Sequence, residues 1–172
     1  HIGFLRHLMI RYGFNTDQIM VNIVTAYEDI EKLEPILKIL KNDIPEVTTI
    51  INNINTKKAD VSYGEYEILL HGNRPIEEKM NGLTFDISAN SFFQTNTLQG
   101  EKLYDEVKKL CNLKGNEIIY DLYCGTGTIG LSLSQTAKHV YGFEIIRSSL
   151  ENAQINATKN NVKNITFLKA NL

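Results

Sequence analysis

Glu117-Ile118-Ile119-Tyr120-Asp121-Leu122-Tyr123-Cys124-Gly125-Thr126-Gly127-Thr128-Ile129-Gly130 is the stretch whose reading decides the fold. Its apolar start, Ile118–Tyr120, has the unbroken hydrophobicity of a strand buried in a parallel sheet. Asp121 closes the run. Gly125 and Gly127 then allow a tight turn in which the backbone can approach a ligand where a Cβ would obstruct. From Thr128 the spacing predicts a helix start, and a second apolar run, Val140–Phe143, ends on another acid, Glu144. Strand, glycine turn, helix, strand and terminal acid together make a nucleotide-cofactor half-site.

Downstream, residues 145–161 are helical by composition, with Leu150, Ala153, Ile155 and Ala157 as expected packing positions, and 165–168 is a third apolar strand. Upstream, Leu98, Leu103, Val107 and Leu110 mark a helix over 97–110, with Thr97 as its expected N-cap. The segment before it, Ala89-Asn90-Ser91-Phe92-Phe93-Gln94-Thr95-Asn96, fits neither period. Two adjacent aromatics among amides and hydroxyls suit the lining of a pocket. Residues 82–88 alternate apolar and polar, as a strand does.

The first part of the chain has a different pattern. Residues 5–12 and 18–27 read as two strands of a hairpin around the turn-rich Gly13–Asp17. Ile30, Leu33, Ile36, Leu37 and Leu40 fall at helical spacing, and Pro35 comes early in that helix, where a missing donor costs least. Val47–Ile54 and Glu65–His71 are two more strands. Strand, strand, helix, strand, strand predicts a small α+β domain with the helix on one sheet face. The expected division is therefore 1–88 and 89–172, with the change of pattern near 86–90.

Composition excludes several classes. The chain has 172 residues, 42% hydrophobic and 22% charged, as in a globular protein. No apolar run approaches the roughly 18 residues of a membrane span, and no signal-peptide core opens the chain. Position 1 is not Met, so a start inside a larger protein is expected. Two cysteines, Cys111 and Cys124, are too few for a disulfide framework or metal cluster, and a cytoplasmic setting follows as the expectation. Residues 1–86 carry 9 Lys/Arg against 13 Asp/Glu, and residues 87–172 carry 9 against 7. Neither half has the basic excess of a stand-alone nucleic-acid binder, although an enzyme acting on RNA with further domains is compatible with it.

Gly125-x-Gly127-x-x-Gly130 also matches a dinucleotide fingerprint. There, however, the first glycine closely follows the strand, and Asp121 would repel a pyrophosphate. An acid at this turn suits a ligand with a positive end. S-adenosylmethionine has a sulfonium, an ammonium and two ribose hydroxyls, and no phosphate. Glu144 is then the natural ribose ligand, since a carboxylate accepts two hydroxyl hydrogen bonds at once. Asn171, after the third strand, lies level with the sheet edge where ligands of open α/β sheets bind and could read a purine edge. The bland alternatives are a structural turn with a solvent-facing Asp121 and a solvated Glu144. His7, His71 and His139 have no cysteine or carboxylate at ligand spacing, so no metal site is expected. Cys111 and Cys124 read as small apolar fillers.

Ser91-Phe92-Phe93-Gln94-Thr95-Asn96, Asp121-Leu122-Tyr123-Cys124-Gly125-Thr126-Gly127-Thr128 and Gly142-Phe143-Glu144 together resemble the S-adenosylmethionine-dependent RNA (uracil-5-)-methyltransferases. Leu5-Arg6-His7-Leu8-Met9-Ile10-Arg11 is similar to the central domain of that family, so the resemblance runs along nearly the whole chain. It implies an α/β fold, a Rossmann-like methyltransferase half-sheet preceded by a small α+β domain. It also implies Gln94, Tyr123, Thr128, Glu144 and Asn171 as cofactor contacts, beside Asp121, Gly125 and Gly127 of the turn; at Thr128 the family sometimes has Asn. In the family reaction a cysteine thiolate adds to C6 of uracil, C5 takes the methyl group, and a base removes the C5 proton. That cysteine and base follow a later Asp-Pro-Pro segment, so no catalytic residue is expected in this chain and the polypeptide alone is expected to be inactive. The expected partner is RNA, ribosomal before transfer RNA. A methyltransferase with another acceptor and a non-catalytic nucleotide-binding module are the rival readings. The open apolar edge of the half-sheet also predicts self-association.

Overall fold

The computed structural model describes residues 3–57, 63–73 and 75–171. It divides into two compact units: residues 1–76 with 88–90, and 77–87 with 91–172.

In the first unit, strands β1 (Leu5–Gly13), β2 (Gln18–Thr25), β3 (Val47–Ile54) and β4 (Tyr66–Gly72) form one sheet in the order β1-β2-β3-β4. β1 and β2 make the expected antiparallel hairpin, with Leu8 opposite Ile23 and Ile10 opposite Val21. β2 and β3 are parallel, so the chain must cross over the sheet between them, and helix α1 (Ile30–Asp43) makes that crossing. The Asp29 side chain caps α1 by accepting from the Lys32 N–H. Leu33 and Leu37 of α1 pack on Val21, Ile23, Val47 and Ile50. The other sheet face is crossed by the segment before residue 91. Arg11 donates to the Ala89 carbonyl at 3.2 Å and the Asn53 amide donates to Asn90 Oδ1 at 2.6 Å.

The second unit is built on β7 (Ile118–Leu122), β8 (His139–Glu144) and β9 (Ile165–Lys169), all parallel, in the order β7-β8-β9. Helices α3 (Thr128–Ser134) and α4 (Arg147–Lys159) connect them, and α2 (Thr97–Cys111) precedes them. This is the half-sheet that the apolar runs predicted.

A hairpin of β5 (Ile76–Met80) and β6 (Leu83–Ile87) completes this unit. Sequence patterning missed β5, because Ile-Glu-Glu-Lys-Met carries charges at three central positions. It also assigned residues 77–87 to the first domain. The residues that hold them lie far along the chain, on α4 and at its C-cap. Asn160 donates to the Thr84 carbonyl at 2.7 Å and its Oδ1 accepts from the Thr84 N–H at 2.8 Å. One turn earlier, Asn156 Oδ1 accepts from the Asp86 N–H at 2.7 Å. Two strand residues rise about 6.6 Å and four helix residues about 6 Å, so this pair of amides matches the strand and replaces a neighbouring one. Lys159 pairs with both Glu77 and Asp86 beside them.

Helix faces depart from expectation in three places. The α2 cap is Asn96, whose side chain accepts from the Gln99 N–H; Thr97 is already helical and its hydroxyl bonds Glu78. Leu98, Leu103 and Leu110 of α2 are exposed, Leu110 at 84%, and the buried face is Thr97, Gly100 and Tyr104. In α4, Ala153 and Ala157 are buried as expected, with Asn156 between them, while Ile155 is exposed.

Candidate functional site

The turn after β7 is locked from three sides. Gly127 has φ +79°, a left-handed conformation that favours glycine, and a Cβ there would stand 2.9 Å from the Phe167 ring. Gly130, the third residue of α3, brings its N–H within 2.8 Å of Asp121 Oδ2, and a Cβ on it would lie 2.8 Å from that oxygen. The third glycine therefore serves close helix–strand packing. The Thr126 carbonyl accepts from the buried Asn156 amide at 3.3 Å.

Glu144 ends β8 with only 8% of its surface exposed. Its Oε1 accepts from the Ile145 and Ile146 N–H groups at 2.8 and 2.9 Å, and its Oε2 accepts from the Gly125 N–H at 3.1 Å. A carboxylate has about four lone-pair sites, so Glu144 ties the glycine turn to the end of β8 and keeps limited capacity for a ligand. Asn171 follows β9 on the surface; the preceding Ala170 N–H donates to the Glu144 carbonyl at 3.1 Å, which sets Asn171 beside the β8 end.

On the other side of the turn, the Tyr104 hydroxyl of α2 lies 2.9 Å from Thr128 Oγ1 and within range of the Gln94 side chain, which acts on the phenol. Asp121 is close enough to act on the same phenol. Thus Gln94, Thr128 and Asp121 gather around Tyr104, while Gly125, Glu144 and Asn171 gather at the β8 end. Tyr123, at φ +60°, stands exposed on the turn. The paired aromatics separate: Phe93 is buried against Phe85, ring centroids 5.7 Å apart, whereas Phe92 is 75% exposed.

Electrostatics follow from burial. Desolvation raises the Asp121 carboxyl above the ordinary range, opposed by the hydrogen bond from Gly130. Desolvation, then Asp121 and Glu144, push the Cys124 thiol up to about 12. A thiol held that high is protonated at neutral pH, the form that does not attack. Among the described residues, no group of three His, Cys, Asp or Glu side chains is placed to share a metal ion, and no helix is long and apolar enough to cross a membrane.

Tyr104 and Asn156 escaped the sequence reading. A signal for Tyr104 was present: Thr97, Gly100 and Tyr104 recur at helical spacing as a small-and-polar stripe beside the leucines. Asn156 looked like any polar helix residue.

Fold and turn together define a Rossmann-like methyltransferase half-sheet. The Pyrococcus abyssi tRNA (uracil-54, C5)-methyltransferase, solved in complex with S-adenosyl-L-homocysteine, superposes with a TM-score of 0.82 at 32% identity, over 98% of this chain and 40% of that one. A Methanocaldococcus jannaschii tRNA m1G37 methyltransferase shares the fold, with a TM-score of 0.59 at 17% identity over 98% of this chain and 49% of that one. The family model described as tRNA (uracil-5-)-methyltransferase matches residues 20–171, and the chain belongs to that family. An uncharacterized RNA methyltransferase of Clostridium acetobutylicum is 46% identical over 96% of the chain, and one of Enterococcus faecalis 44% identical over 96%. The chain spans 36% of the length of each.

Proposed function

We propose that this chain is the S-adenosylmethionine-binding part of an RNA (uracil-5-)-methyltransferase. The observation that carries the reading is the 3.1 Å hydrogen bond from the Gly125 N–H to Glu144 Oε2. The turn donor that would meet a pyrophosphate in a dinucleotide site is already held by a carboxylate, and Asp121 adds a second acid on the other side. Such a seat disfavours phosphate and favours a ligand with hydroxyls and a positive end. Glu144 would take the ribose hydroxyls, Asn171 the purine edge, and Gln94, Tyr123 and Thr128 the amino-acid end. Asp121, Gly125 and Gly127 shape the turn beneath it. Bound there, the cofactor would supply an electrophilic methyl group for C5 of a uridine.

The catalytic cysteine and base lie outside this chain in this reading, so the polypeptide binds cofactor without turnover, in the cytoplasm. The acceptor proposed first is a uridine of 23S ribosomal RNA, from the likeness of Leu5–Arg11 to the family's central domain. Transfer RNA is the second reading, supported by the Pyrococcus abyssi likeness.

Calorimetry with S-adenosylhomocysteine tests the site. Saturable binding that is lost in Glu144→Ala is expected; no binding by the unaltered chain would favour a non-catalytic module. Tritiated methyl transfer by the full-length protein to ribosomal against transfer RNA separates the acceptors. Transfer to uridine-containing RNA by these 172 residues alone would show that the catalytic groups are present after all.

A further inference from the structure

α2 buries the wrong face for an ordinary amphipathic helix. Its leucines face solvent, and its buried stripe is Thr97, Gly100 and Tyr104. What that stripe packs against explains the choice. A Cβ on Gly100 would lie 3.2 Å from Gln94 Cβ and 3.1 Å from Met80 Sδ, so the Gln94 side chain rests on the helix backbone. One turn on, Tyr104 is 3% exposed; its hydroxyl sits 2.9 Å from Thr128 Oγ1 and within range of the Gln94 side chain, which acts on the phenol. The helix gives up leucine burial to hold one amide and one hydroxyl.

We propose that Tyr104 is a positioning residue of the cofactor site, fixing through its hydroxyl which hydrogen-bonding groups Gln94 and Thr128 turn toward the ligand. The inference rests on the cofactor reading above. A phenol has one proton and two acceptor sites, and a threonine hydroxyl the same. A Gln amide has an acceptor end and a donor end, and nothing in its shape distinguishes them. Linking the three restricts the patterns they can adopt together. Burial raises the Tyr104 phenol above its ordinary value, so the proton that organises the chain is present throughout the physiological range. Without the hydroxyl, the Gln94 amide is free to turn over and Thr128 to rotate, and a ligand must then order both as it binds.

The test is a double-mutant cycle in the full-length protein, read by S-adenosylhomocysteine affinity. Tyr104→Phe keeps the ring and removes the hydroxyl; a loss of about tenfold is expected, the scale of one neutral hydrogen bond. If Tyr104 acts through Gln94, adding Tyr104→Phe to Gln94→Ala costs little more than Gln94→Ala alone, whereas adding it to Glu144→Gln costs the full factor again. Thermal midpoints, measured alongside, show whether each variant is folded. Unchanged affinity in Tyr104→Phe, or a loss that simply adds to that of Gln94→Ala and likewise to that of Thr128→Ala, overturns the role of Tyr104 and leaves the cofactor reading intact. Absence of binding by the unaltered protein overturns the cofactor reading itself.

Discussion

Asp121 and Gly130 share a hydrogen bond across the strand–turn–helix junction, 2.8 Å from the glycine N–H to the carboxylate, at the spot where a Cβ would stand 2.8 Å from the same oxygen. The bond and the close approach require each other. Gly130→Ala should therefore destabilise the fold by about 1–3 kcal/mol, the usual cost of overpacking. Urea unfolding measures it. An unchanged midpoint would mean that Asp121 swings clear and that the contact is slack.

Asp121 itself gives a prediction in pH. Burial, the larger effect, raises its folded pKa, and the Gly130 N–H only partly offsets this. A carboxyl with a raised folded pKa contributes stability below its unfolded value, about 3.9, and loses that contribution as pH rises through the folded value. At neutral pH the buried charge is thus a cost. Asp121→Asn keeps a carbonyl for Gly130 and removes the charge. Its melting temperature should exceed that of the unaltered chain at pH 7, and the gap should close as the pH falls below about 4. A gap independent of pH would sink the argument. If the charge also serves the cofactor's positive end, the same variant binds S-adenosylhomocysteine less tightly while being more stable.

Asn156 joins the hairpin to the turn, accepting from the Asp86 N–H and donating to the Thr126 carbonyl from a fully buried position. Asn156→Ala leaves two buried backbone groups without their partner, each worth about 1–3 kcal/mol. A loss of roughly 2–4 kcal/mol is expected, with faster hydrogen exchange at Asp86. Asn160→Ala should instead speed exchange at Thr84. If exchange at Asp86 is the same in both variants, the amides do not act as separate links.

The parts of this structure that were legible in the sequence are those set by local period. Val47–Ile54, the α1 stripe and the three parallel strands each formed where expected, although Ile118–Tyr120 of β7, read as buried, leaves Ile118 and Tyr120 exposed because no second layer covers that face among the described residues. The parts that were not legible depend on partners far along the chain. β5 carries the charges of a surface loop, and it belongs with the second unit because of Lys159 and the α4 asparagines. α2 shows the opposite failure: its leucines have a clear period, yet Gln94 and Thr128 decide which face is buried. Asp121, the glycines and Glu144 were legible as a candidate site because they are close in sequence. Tyr104 was not, because its role exists only once the chain has folded.

The two cysteines should differ sharply in reactivity. Cys111 is exposed, and Cys124 is buried with its thiol pushed up to about 12. Only the thiolate reacts with iodoacetamide. At pH 8 the native chain should take up one carbamidomethyl group, at Cys111, and a second only after denaturation, as read by intact mass and peptide mapping. Rapid native labelling of Cys124 would show that the turn opens far more readily than its hydrogen bonds imply.

The remaining face of the half-sheet predicts how the isolated polypeptide behaves. Gly130 and Ala153, from α3 and α4, come against the sheet face that carries Asp121, Val140, Ile165 and Phe167. The opposite face shows Ile118, Tyr120, Leu122 and Leu168 to solvent, with Tyr120 stacked near Tyr141 and Phe143. β7 pairs only with β8, so one side of its backbone lacks a strand among the described residues. Parallel sheets are ordinarily covered on both faces, and an apolar edge without charge invites another strand. The 172-residue polypeptide should therefore associate with itself, its mass by light scattering rising with concentration. Tyr120→Lys places a charge at the centre of that face and should shift the population toward monomer without disturbing the Asp121–Gly130 side of the sheet. A monodisperse monomer at high concentration would refute the prediction.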